Sequence, residues 1–410
     1  MKKIVMSIMM AAIAVCAAAQ NFDDYFTDST LRLDYVFAGD RNSQAIYVDE
    51  LTKTPGWYGR RHHLDTLPLE GNGQVTLRDS RTGRVIYRHS FSTLFQEWLS
   101  TEESKTTAKS FENVFLVPFP KDTCDITVNL FDYHRRVAVS YTHRVIPSDI
   151  LIRKVTSPQY DYDVLHSAKN PDNCIHIAFV AEGYTDAEME SYLDDCRTAI
   201  DALLSHKVFS RYADWLHIVA VKSPSKESGT SEPSAGKWIN TAINSHFSTF
   251  YSERYLTTLH LKQLHNMLLA VPYEHIIVLV NSKKYGGGGI YNSYTLTAAK
   301  DKDFRPVVVH EFGHSFGGLA DEYEYSNDDP MYFPDIEPWE RNITTKADFS
   351  QKWGGLISQG KASLIEGGGY LKNGVWRGCD TCRMRINEVD DFCPVCCQAL
   401  EELILFYIRP

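Results

Sequence analysis

Near Cys174 the hydrophobic pattern of this 410-residue chain changes period, and that change limits the folds open to it. Before it, short runs alternate apolar and polar residues. Leu31-Arg32-Leu33-Asp34-Tyr35-Val36-Phe37 and Gln74-Val75-Thr76-Leu77-Arg78 read as strands. The turn cluster Asp79-Ser80-Arg81-Thr82-Gly83 joins the second to Val85-Ile86-Tyr87 as a hairpin. Further strands are expected at 114–119, 126–131 and 137–141. Several short strands joined by turns predict an antiparallel sandwich. After Cys174 the apolar runs become continuous: Ile175-His176-Ile177-Ala178-Phe179-Val180, Ile218-Val219-Ala220-Val221 and Ile276-Ile277-Val278-Leu279-Val280. Thr185-Asp186-Ala187-Glu188 forms a capping box that opens a helix, and residues 257–269 read as another. Strands alternating with helices predict an α/β sheet with helices packed on it. The expected order is an all-β domain over 20–156 and an α/β domain over 157–410. A linker with Pro158 and Pro171 lies near the join.

The most specific local pattern lies in the second part. His310-Glu311-Phe312-Gly313-His314 places two histidines four apart, which on a helix puts both imidazoles on one face. Two such rings can bind one metal ion, and a glutamate beside the first can act as base toward water at that ion. Pro306 suits the helix start, and Gly317-Gly318 predicts a left-handed exit that turns the chain back toward the rings. A metzincin places its third histidine ten positions after the first, but here position 320 is Ala. Asp321, one residue later, is the candidate third ligand. Glu322, or Glu337 or Glu340 recruited from further on, are the alternatives. Tyr323 is the nearest phenol for holding an oxyanion, with Tyr291 and Tyr294 as others. Asp328 and Asp329 read as a solvated acidic loop. Tyr285-Gly286-Gly287-Gly288-Gly289 reads as a flexible loop, and residues 290–296 after it as an edge strand that could pair with a peptide.

Composition narrows the partners and the compartment. Lys2 and Lys3, the apolar run 4–15 and Ala17-Ala18-Ala19 form a signal peptide over 1–19, which implies export to the periplasm, cell surface or medium. Cys16 raises lipidation as an alternative fate, although Val15 is larger than a lipobox usually carries. Without Lys2 and Lys3 the 42 basic residues become 40 against 52 acidic, a net charge of about −12 that argues against nucleic acid as partner. No second apolar run has spanning length. Near the C-terminus, Cys379-Asp380-Thr381-Cys382 and Cys393-Pro394-Val395-Cys396 have the spacing of a four-thiolate zinc site. In an exported chain, disulfides or reduced buried thiols are favoured over zinc at this pattern, and Cys397 makes a fifth sulfur. Met384, on a turn after the histidine helix, has the position of a methionine under a metzincin site.

Taken together, these residues resemble the M64 family of metallopeptidases, known for IgA peptidase. The match rests on the run from His310 to Tyr323, on Ala181-Glu182-Gly183-Tyr184-Thr185, on Cys382-x-Met384-Arg385 and on Phe392-Cys393-Pro394-Val395-Cys396. The resemblance covers most of the chain. It implies a zincin-like peptidase domain behind a β domain, with zinc on His310, His314 and a following acidic residue, and Glu311 catalytic. It further implies protein or peptide substrates, with immunoglobulin or another host glycoprotein among the candidates. Two other classes stay open on the residues alone. One is a surface protein that binds host protein or glycan through a peptidase-like domain without activity. The other is a redox or zinc-ribbon module built on the C-terminal cysteines.

Overall fold

The computed structural model describes residues 20–326 and 331–409. Residues 1–19, read above as a signal peptide and including Cys16, and the Asp328-Asp329 pair lie outside the described residues. The first eight strands are β1 (Phe26–Gly39), β2 (Gln44–Pro55), β3 (Gly73–Asp79), β4 (Val85–Phe91), β5 (Lys109–Pro120), β6 (Cys124–Phe131), β7 (Val137–Val145) and β8 (Arg153–Lys154). They form two four-stranded sheets, β5-β1-β2-β8 and β4-β3-β6-β7. The inner faces meet through the alternating residues Leu31, Leu33, Tyr35 and Phe37 of β1 and Val75 and Leu77 of β3. Phe91 and Phe115 join the two sheets, with ring centroids 4.2 Å apart.

The polar face of β1 is not solvated, as strand alternation alone would have it. Arg32 and Asp34 are buried and form a two-pronged ion pair at 2.6 and 2.8 Å. The Arg32 guanidinium also donates from Nη1 to Asn266 Oδ1 and from Nη2 to the Lys262 carbonyl, both on the helix Leu261–Met267. The β half therefore docks on the second half through a buried, fully hydrogen-bonded charge, which is the condition under which burying one is tolerated.

Six strands make the second half: β9 (Tyr162–His166), β10 (Ile175–Glu182), β11 (Leu216–Val221), β12 (His275–Val280), β13 (Gly287–Ile290) and β14 (Tyr294–Ala298), in spatial order β13-β14-β12-β10-β11-β9. The four middle strands run parallel, and β9 and β13 run antiparallel at the edges. Every residue of β10 is buried, as expected of a parallel strand covered on both faces. Its residues alternate between two cores. Ala178 and Val180 face the β half, while Ile177 and Phe179 face the helices Met189–Leu204, Phe304–Ser315 and Pro394–Ile408.

Three expectations need correction. Residues 290–296 are not one edge strand: Ile290 ends β13, residues 291–293 turn, and β14 lies inside the sheet between β13 and β12. The linker contains β9, whose mixed burial gave no apolar run to read. The glycine run is not a loop but the edge strand β13, in register with β14 from Gly287 opposite Thr297 to Ile290 opposite Tyr294. A small sheet completes the fold: β15 (Glu324–Ser326), β16 (Ile343–Thr344), β17 (Ile365–Gly368) and β18 (Tyr370–Arg377), with β15 and β16 on either side of β18 and β17 paired to it as well. Among the described residues no helix is long and apolar enough to cross a membrane.

Candidate functional site

The helix Phe304–Ser315 carries His310, Glu311 and His314. Val308 and Phe312 point its apolar side into the core, while the His310 and His314 side chains keep 13 and 16% exposure. Its exit follows the glycines. Gly318 adopts φ +57°, and a Cβ there would meet Trp339 and Leu69 at 2.7 and 2.8 Å. Leu319 N–H closes on the Gly313 carbonyl at 3.1 Å, so the chain doubles back beside the helix.

That return brings Asp321 to both rings. Its Oδ1 lies 3.0 Å from His310 Nε2 and 3.2 Å from His314 Nε2, and the two Nε2 atoms are 3.0 Å apart. The other ring nitrogens are engaged. His310 Nδ1 donates to the Arg383 carbonyl at 3.0 Å, and His314 Nδ1 donates to the Leu319 carbonyl at 2.6 Å. Carbonyls only accept, so each Nδ1 carries a hydrogen and, in the neutral ring, each Nε2 presents a lone pair. Two lone pairs and a carboxylate oxygen then face one point. The three edges are close to the about 3.3 Å expected between donors bound tetrahedrally at about 2.0 Å, so the group fits a zinc-sized cation. Without a cation a proton takes that place. Burial lowers the His314 pKa, but the Asp321 carboxylate outweighs it and leaves His314 raised to about 9. Burial likewise pushes Asp321 up, and His314 and His310 more than reverse it, holding its carboxyl well below the usual range.

Neighbours hold this triad in place. Tyr370 hydroxyl donates to Asp321 Oδ2. Asn342 brackets the preceding residue, accepting from Ala320 N–H and donating to its carbonyl, both at 2.8 Å, and it also donates to Glu322 Oε1 at 3.0 Å. Met384, fully buried, lies under the helix, its sulfur 2.7 Å from where a Cβ on Gly313 would stand. Glu311 presses on the edge strand: a Cβ on Gly287 would meet its Oε1 at 2.7 Å, and one on Gly289 would meet its carbonyl oxygen at 2.2 Å. The glycines of β13 are therefore there to let a strand pass against the helix. Burial pushes the Glu311 carboxyl up, against the pull of His310 and His314. Tyr255 forms a lone bridge with Gly287, so this edge is capped at its first residue.

The other candidates separate clearly. The Tyr323 ring is parallel to His310, centroids 6.5 Å apart, and Arg254 lies 6.0 Å from the Tyr323 centroid. Tyr291 is buried against Ser90, and Tyr294 against the Thr258 carbonyl. Glu337 pairs with Lys352 at 2.9 Å and Glu340 accepts from Tyr332, so neither is at the histidines. Glu322 turns away from the rings and joins Cys382, Cys393 and Cys396. The eight described cysteines are all free thiols. Asn342, Tyr370 and Arg254 escaped the sequence reading, since nothing near them in the chain marks them.

Residues 164–364 match the family described as IgA Peptidase M64, and residues 21–142 match Peptidase M64 N-terminus. The chain belongs to the M64 peptidase family. No curated protein matches it. Within the family region, Glu182 of the Ala181–Thr185 segment is buried and accepts from Thr241, Ile243 N–H and Ser245 N–H at 2.5, 3.0 and 2.9 Å, which pins the loop leading toward Arg254.

Proposed function

We propose that this peptidase is an exported zinc-dependent endopeptidase of zincin-like fold, with His310, His314 and Asp321 holding the ion and Glu311 acting as general base. The observation that carries the reading is the pair of Nε2 atoms 3.0 Å apart with both Nδ1 hydrogens committed to carbonyls. Neutral rings so arranged cannot hydrogen-bond each other and need an electron-pair acceptor between them and Asp321. Zinc bound there would acidify water and polarise the scissile carbonyl.

The residues do the rest. Glu311 accepts a proton from water at its half-buried carboxylate and returns it to the departing amine nitrogen. Tyr323 offers its phenol to the developing oxyanion, since Tyr291 and Tyr294 are engaged elsewhere. Gly288 to Ile290 of β13, beyond the Tyr255 bridge, offer backbone groups to an extended substrate. Substrates of this chemistry are proteins, with immunoglobulin one of the host glycoproteins to be tried. Export rests on the charged start, apolar run and small residues of 1–19.

The test compares wild type with Glu311→Gln on an unfolded protein substrate, alongside zinc content. Loss of cleavage with zinc retained is expected. Cleavage by the variant at the wild-type rate, or wild-type cleavage indifferent to a chelator, would sink the reading.

A further inference from the structure

We infer that Glu322, Cys382, Cys393 and Cys396 form a second, structural zinc site, separate from the His310–His314–Asp321 group and buried behind it. Their donor atoms all lie within 4.8 Å of one another. Cys382 Sγ and Cys396 Sγ are 3.6 Å apart, close to the about 3.8 Å edge of a tetrahedron with zinc–sulfur bonds of about 2.3 Å. Cys396 Sγ is 3.0 Å from Glu322 Oε1. All four residues are buried, and Glu322 Oε2 has no hydrogen-bond partner. A fully buried carboxylate with an oxygen left over needs a cation or a proton.

Two further observations point to thiolates. Cys393 caps the helix Pro394–Ile408, its sulfur accepting from Cys396 N–H at 3.5 Å, and Cys382 Sγ accepts from Cys393 N–H at 3.3 Å. Backbone hydrogens at a helix start favour sulfur in its anionic form. Charge also balances. Three thiolates and a carboxylate around a divalent ion leave two negative charges, and two buried guanidiniums are at hand. Arg383 acts on Cys382 and Arg377 on Glu322. At contact distance Arg383 meets only neutral acceptors, His206 Nε2 and the carbonyls of Asn387 and Val389. On binding, each of the three thiols releases one proton to water, with no oxidant required. A donor set of three sulfurs and one carboxylate selects zinc over magnesium or calcium.

This differs from the pattern of four cysteines in the sequence. Cys379 is partly exposed and stays outside the group, its sulfur 4.0 Å from the Lys361 carbonyl oxygen, while Glu322 takes the fourth place from 60 residues before Cys382. The site would tie the Asp321-bearing segment to the turn whose Arg383 carbonyl orients His310. The backbone bond from Glu322 N–H to the Met384 carbonyl at 2.9 Å already joins the same two strands of chain.

The experiment uses the full chain, purified without chelator, as wild type and as His310→Ala, with zinc counted by mass spectrometry and its neighbours read by zinc-edge X-ray absorption. Wild type is expected to hold two zinc ions per chain, with both nitrogen or oxygen and sulfur scatterers. His310→Ala is expected to keep one, surrounded mainly by sulfur. A His310→Ala protein without zinc, together with no sulfur scatterer in wild type, overturns the proposal, and so do disulfides among these cysteines found by alkylation of the unfolded wild-type protein. Should His310→Ala hold as much zinc as wild type, all of it on sulfur, this site stands and the catalytic reading falls. The wild-type spectrum decides the matter even if the variant does not fold.

Discussion

Asp321 and Glu322 are neighbours in the chain, yet they serve two clusters of opposite character. Asp321 joins two histidines whose side chains remain partly exposed. Glu322 joins sulfurs that are sealed, with Cys382 and Cys396 at 0%. The backbone between them is held from both sides, Asp321 carbonyl by Gly369 N–H at 2.8 Å and Glu322 N–H by the Met384 carbonyl at 2.9 Å. Extended chain sends successive side chains to opposite faces, and here that alternation sends Asp321 to the histidines and Glu322 to the sulfurs. An open donor set leaves room for water and substrate, whereas a closed one leaves room only for the ion.

The comparison predicts where damage falls. Glu311→Gln touches only the open cluster and removes the proton carrier. Cleavage is expected to drop by about a thousandfold or more with zinc content unchanged, measured as kcat/KM on a peptide substrate. Tyr370→Phe deletes the hydroxyl behind Asp321 but no donor. Zinc affinity of the open cluster should weaken between about ten- and a hundredfold, read by competition with a chromogenic chelator, while a sulfur-bound ion is untouched. Asn342→Ala acts on both clusters at once, because it leaves Ala320 and Glu322 without their buried partner. A loss of about 3 kcal/mol in urea unfolding is expected, and a loss under about 0.5 kcal/mol would show that the segment is held without it. Gly289→Ala should be smaller, about 2 kcal/mol, since β13 can shift outward from the Glu311 carbonyl. It should slow cleavage and leave zinc in place, and normal kinetics would show that the strand does not position Glu311.

The sequence carried the parts whose information is local. Period-two runs marked the sandwich strands, unbroken apolar runs marked β10, β11 and β12, and four-residue spacing marked the histidine face. Asp321 was readable as an acid just past the glycine exit, although Glu337 and Glu340 could be set aside only once Lys352 and Tyr332 were seen beside them. Long-range parts were not readable. Tyr370 stands 49 residues from the carboxylate it serves, and Glu322 looks like any acid until the fold sets it among sulfurs. The glycine strand misled for a physical reason. Absence of side chains usually means a loop, but here it means contact with a helix, and contact is a property of the partner as much as of the strand.

The bond from His310 Nδ1 to the Arg383 carbonyl spans 73 residues, and it has a meaning in time as well as in space. A chain made N-terminus first delivers both histidines well before the turn that orients one of them. Until residues 382–396 emerge and fold, His310 has no fixed tautomer and Glu322 has no sulfurs to join. The histidine cluster is thus completed only when the last tenth or so of the chain has folded against it.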